Sequence, residues 1–86
     1  MGTAKDDPQV QRDRLERLAK EAFGDCRVYF DPDQPVRSIR MRVDDSKTGN
    51  ILMVSEGYWD VSQIADKSDG ELKLLLVGWA KNRIKS

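Results

Sequence analysis

The residues of this chain with the most chemical potential are its clustered carboxylates, its single thiol, and a set of arginines interleaved with aromatic rings. Asp31 with Asp33, and Asp44 with Asp45, are the obvious carboxylate pairs for acid/base work. Each pair falls in a polar turn, where a solvated carboxylate keeps its ordinary pKa and is a poor acid near neutrality. The two turns also close opposite ends of a meander, so the pairs do not combine into one site. Asp44-x-Ser46-x-Thr48-Gly49-x-Ile51 echoes the opening of a calcium-binding EF-hand loop. Its twelfth position, which should supply a bidentate glutamate, is Ser55, and strand patterns flank it where helices should stand. A plain hairpin loop, with no metal, is the expectation.

Histidine is absent, which removes the side chain best suited to proton transfer at neutral pH and every His-paired nucleophile. Cys26 shares parity with Val28 and Phe30, so it belongs to a core face and acts as a small hydrophobe. Arg27 points to the opposite face and is badly placed to activate it. No two glycines have the spacing of a phosphate loop. The chain therefore reads as non-enzymatic, with no cofactor.

The arginines are different. In Ser38-Ile39-Arg40-Met41-Arg42-Val43 the apolar and polar residues alternate strictly. Ile39, Met41 and Val43 then share one face of a strand, and Ser38, Arg40 and Arg42 the other. Cys26-Arg27-Val28-Tyr29-Phe30 alternates likewise, with Arg27 and Tyr29 on its polar side. Pairing of the two strands gives one core face and one face bearing guanidinium groups and a phenol. Tyr58 and Trp59 lie near enough in the chain to flank it. Arg27, Tyr29, Arg40, Arg42, Tyr58 and Trp59 are thus the expected binding residues. Such a set suits an acidic protein surface, or stacked bases with phosphates between them.

Fifteen basic and fifteen acidic residues cancel. A balanced chain lacks the field that draws proteins to nucleic acid or acidic membranes, which favours a protein partner and places nucleic acid second. The longest apolar runs, Ile51–Val54 and Leu74–Val77, are far shorter than the roughly 20 residues of a membrane span. No apolar signal core opens the chain, and a single cysteine forms no internal disulfide, so a cytoplasmic location is expected.

The elements that must position these groups follow from the same sequence. Eighty-six residues make one domain over 7–86, preceded by a polar, flexible stretch over 1–6. Asp7 and Pro8 open a helix over roughly 8–23, with Leu15, Leu18, Ala19, Ala22 and Phe23 as its buried stripe. Asp13 with Arg17 and Glu16 with Lys20 are its expected surface pairs. Three strands follow. Asp31-Pro32-Asp33-Gln34-Pro35 turns between the first two, and 44–50 loops to the third, over about 50–56.

The third strand is apolar on both faces. Either a helix covers the second face within the chain, or two copies pair as a homodimer around Ile51–Val54. Asp60 caps a short helix over 61–66. Ser68 and Glu71 have capping-box spacing ahead of a last helix over about 69–84. Leu72, Leu75, Leu76, Trp79 and Ala80 form its stripe, widened by Leu74, Val77 and Ile84.

The expectation is an α+β fold in the order α-β-β-β-α-α, a three-stranded antiparallel meander packed with an N-terminal and a C-terminal helix. Its acidic Ser68-Asp69-Gly70-Glu71 segment argues against the last two helices acting as a helix-turn-helix. It also departs from double-stranded RNA-binding domains, which share the element order but open their last helix with lysines. The expected role is that of a small adaptor, inhibitor or regulatory subunit.

Overall fold

A computed structural model of the chain describes residues 7–31 and 37–85, with side chains through Lys81. The N-terminal stretch 1–6 and most of the first strand-to-strand turn, 32–36, lie outside the described residues.

Helix α1 (Pro8–Phe23) begins as its sequence requires: the Asp7 carboxylate accepts from the Gln9 N–H at 2.9 Å, and Pro8 sits in the first turn. Leu15, Leu18 and Ala19 are buried on its inner stripe. Gly24, at φ 78°, stops it by donating its N–H to the Lys20 carbonyl. Strands β1 (Cys26–Phe30), β3 (Met41–Asp45) and β4 (Ile51–Val54) form an antiparallel sheet in the order β1-β3-β4. Helices α2 (Val61–Ala65) and α3 (Asp69–Lys85) complete the expected order.

Two additions refine the pattern. The alternating run 38–43 is divided at Arg40. Its first part, β2 (Ser38–Ile39), pairs with β5 (Trp59–Asp60) in a separate two-stranded ladder. Its second part begins β3 and pairs with β1 and β4. The alternation survives the division, because Ile39, Met41 and Val43 are all buried while Arg40 and Arg42 are exposed. Second, β3 runs through Asp45, so Asp44 belongs to a strand and is buried, in contrast to the solvated turn position expected for it.

The apolar run of β4 has a local cause. Arg42 lies opposite Val54, Val43 opposite Met53, and Asp44 opposite Ile51, so Leu52 is an extra residue bulged out of the ladder. The bulge resets the parity: Val54 and Ile51 fall on the face of Arg42 and Asp44, while Met53 faces the core with Val43. Leu52 packs against the core as well. Helix α3 packs on β4 and α1, and Met53 is fully buried, so packing within the chain accounts for this side of the strand.

Leu18, Val43, Met53 and Leu76 are fully buried at the centre of the core. Each contributes about 1.5–3 kcal/mol by leaving water. Val61 and Ile64 of α2, and Leu72, Trp79 and Ala80 of α3, close it from the other side. Leu74 departs from the expected stripe and stands in solvent at 75% exposure. The capping devices form as spaced. Ser68 N–H donates to Glu71 Oε1 and Glu71 N–H to Ser68 Oγ, while Asp60 and Gln63 make the equivalent box for α2. Lys20 pairs with Glu16 at 3.6 Å, but Arg17 turns from Asp13 to Glu21 and Asp69, at 3.1 and 3.2 Å.

One tertiary contact stands apart. Arg14 donates from Nε to Asp69 at 2.7 Å and from its terminal nitrogens to the Gln11 side chain and to the Ile64 and Lys67 carbonyls. Its fork caps the Lys67 carbonyl, adds a second donor to the Ile64 carbonyl that already accepts the Lys67 N–H, and so ties α1 to the α2–α3 turn.

Candidate functional site: the arginine and tyrosine sheet face

The sheet has helices on one side only, and its open side carries the residues of interest. Residues directly opposite one another in an antiparallel ladder share a face, and the register sets Arg27 opposite Asp44 and Tyr29 opposite Arg42. Arg27, Tyr29 and Arg42 are exposed there. The Arg42 guanidinium lies 4.9 Å from the centre of the Tyr29 ring, and it donates to Asp44 Oδ2 at 3.1 Å. The other carboxylate oxygen, Oδ1, is buried and has no hydrogen-bond partner among the described residues. Asp44 therefore acts from within the face, holding Arg42 against its ring.

A second arginine–ring pair stands beside the first. Arg40 lies just ahead of β3, fixed by a hydrogen bond from the Asp31 N–H to its carbonyl at 3.0 Å. Its guanidinium is 5.7 Å from the centre of the Tyr58 ring. The Tyr58 hydroxyl donates to Asp31 Oδ2 at 3.0 Å, which fixes the ring under the cation. Between the two pairs runs an open groove of about 410 Å³, lined by Tyr29, Phe30, Asp31, Arg40, Arg42 and Val54.

Five of the six expected residues thus meet on this face or at its border, and the sixth does not. Trp59, in β5, lies opposite the buried Ile39. Its half-buried ring packs edge-on against Trp79 of α3, with centroids 5.6 Å apart at 64°, and its Nε1 donates to the Glu56 carbonyl. Trp59 is a packing residue here. Adjacent Tyr58 faces outward because strand neighbours diverge.

Asp44, Asp31 and Val54 belong to the site and were not among the expected residues. For Asp44 the signal was present: it continues the parity of Ser38, Arg40 and Arg42 once the strand is extended two residues. Val54 was hidden by the bulge, which no alternation reveals.

Comparison with family models, with curated proteins and with solved structures finds no match. The reading therefore rests on geometry alone.

Other chemistry finds little footing among the described residues. Burial pushes the Cys26 thiol above its usual range, away from reactivity. Asp45, the other acid of its pair, accepts from the Lys47 and Thr48 N–H groups, which hold it below the ordinary carboxylate range. With Gly49 at φ 76°, these bonds make 45–50 a hairpin turn. Among the described residues, no group of three or more acids and cysteines is placed to hold a metal. The gap under Trp59 and Trp79 measures about 10 Å³, room for about one water and no organic ligand. No described helix is long and apolar enough to cross a membrane.

Proposed function

We propose that this is a small, non-enzymatic binding domain that docks a protein partner through the open sheet face, as a cytoplasmic adaptor, inhibitor or regulatory subunit. The observation that carries the reading is the pair of arginine–ring contacts, Arg42 on Tyr29 and Arg40 on Tyr58, on either side of one groove. Arginine and tyrosine held in fixed poses supply contact area and hydrogen bonding at low entropic cost, the combination enriched at interface hot spots. The alternative, single-stranded nucleic acid, uses the same rings and forks. Two features favour protein. Asp44 already compensates Arg42, and Asp31 stands in the groove, so the face offers a polyphosphate little net charge.

Affinity capture from a lysate of the source cells tests this, with the wild-type domain and an Arg40→Ser, Arg42→Ser bait run in parallel, each with and without RNase. A partner retained after RNase and lost with the double variant is the expected result. Capture that the double variant leaves unchanged refutes the face. Retardation of labelled oligonucleotides, falling steeply with salt and lost in the double variant, shifts the reading to nucleic acid.

A further inference from the structure

We propose that Arg40 is the residue that selects the partner, by receiving a single carboxylate from an extended partner segment whose neighbouring residues are aliphatic or aromatic. This rests on the binding-face reading above and names the chemistry of what the face takes.

The three arginines of the face are not equivalent. Arg42 is committed, with its guanidinium bonded to Asp44 and laid on Tyr29. Arg27 is exposed but does not border the groove. Arg40 borders it, is exposed, and among the described residues has a ring beneath it and no carboxylate partner. Its backbone is pinned to Asp31 and its head is held over Tyr58, which Asp31 fixes in turn. The guanidinium is thus presented in a limited set of poses. A planar fork presented this way matches a carboxylate with two parallel hydrogen bonds, and less freedom is lost on binding.

The surroundings restrict the ligand further. Asp31 lines the same groove, so a run of acids or a polyphosphate meets like charge beside Arg40. Apart from Arg42, the remaining lining contributes Val54, Met41, Phe30 and the Tyr29 ring, all apolar or aromatic. An open groove of about 410 Å³ has room for a few side chains of an extended segment. A lone acid flanked by apolar residues meets all of these conditions.

The test is selection of a displayed library of random dodecapeptides on immobilised wild-type domain, repeated on Arg40→Gln, with the half-buried α1 residue Arg12→Gln, away from the sheet face, as a charge control. Wild type and Arg12→Gln are expected to enrich sequences with one Asp or Glu beside an aliphatic or aromatic residue, and Arg40→Gln to lose them. For the strongest peptide, Arg40→Gln and amidation of the peptide's acid should each weaken binding roughly ten-fold, and the two together little more than either alone. Enriched sequences without an acid, or losses that simply add, overturn the assignment to Arg40 while leaving a binding face in place. Failure of the wild type to enrich anything beyond the Arg40→Ser, Arg42→Ser domain overturns the binding-face reading itself.

Discussion

Replacing Arg14 with alanine is the sharpest test of how this small fold is held together. The Arg14 side chain is 17% exposed and its fork reaches the Ile64 and Lys67 carbonyls, with Nε on Asp69. Only the buried part enters the magnitude. Each carbonyl bond to a charged donor contributes about 1.5 kcal/mol net; alanine removes both, leaving the Lys67 carbonyl without this donor while the Ile64 carbonyl keeps the Lys67 N–H. The loss is therefore about 2–3 kcal/mol, a large share of the stability of a domain this size. It corresponds to a fall in Tm of about 10–20 °C. Far-UV circular dichroism of thermal and urea unfolding reads both quantities. Asp69→Asn removes only the solvent-facing partner, at half exposure, and should cost clearly less. Equal losses in the two variants, or a change in Arg14→Ala below about 0.5 kcal/mol, would refute the view that carbonyl capture by this side chain ties α1 to the α2–α3 turn.

Two further outcomes follow from the same structure. Asp69, held low first by Arg14, Glu21 by Lys73, Asp60 by the Ser62 hydroxyl and Glu71 by Ser68 all have folded pKa values below their unfolded ones. Their contribution is present above about pH 4 and is lost as pH falls through the depressed values. Cys26 is raised, so its contribution is present below about pH 8.5 and lost as pH rises past it. With no histidine in the chain, the urea midpoint should be flat between about pH 5 and 8 and fall on both sides, the onset of the alkaline fall moving to higher pH in Cys26→Ala. A slope inside that window contradicts the assignment. Separately, the bulge at Leu52 and the packing of α3 on β4 make edge pairing with a second copy unfavourable. Sedimentation at tens of micromolar should return 9.8 kDa, and a concentration-dependent doubling of mass would restore the homodimer through Ile51–Val54.

Much of the architecture was legible because its signals are local. Asp7, Pro8 and Gly24 mark α1 within a residue, and Ser68 with Glu71 mark α3, since caps satisfy backbone groups a few residues away. Strict alternation in 26–30 and 38–43 separated the core face from the arginine face, because strand parity needs no knowledge of the partner strand. What escaped depends on contacts between distant segments. The short β2–β5 ladder, the bulge at Leu52 and the Arg14 fork each join residues that no window along the chain relates. The same limit separates Tyr58 from Trp59. Both are aromatic and adjacent, yet only their direction relative to Ile39 and Arg40 sorts one to the core and one to the groove.

The proposed docking surface is tested most directly by adding a captured partner, or the strongest selected peptide, to the isotope-labelled domain and mapping the amide shifts. The account predicts that the largest changes fall on Tyr29, Arg40, Arg42, Val54 and Tyr58, with α1 and the outer side of α3 silent. Changes centred instead on α1, or on the exposed Leu74 side of α3, would contradict it.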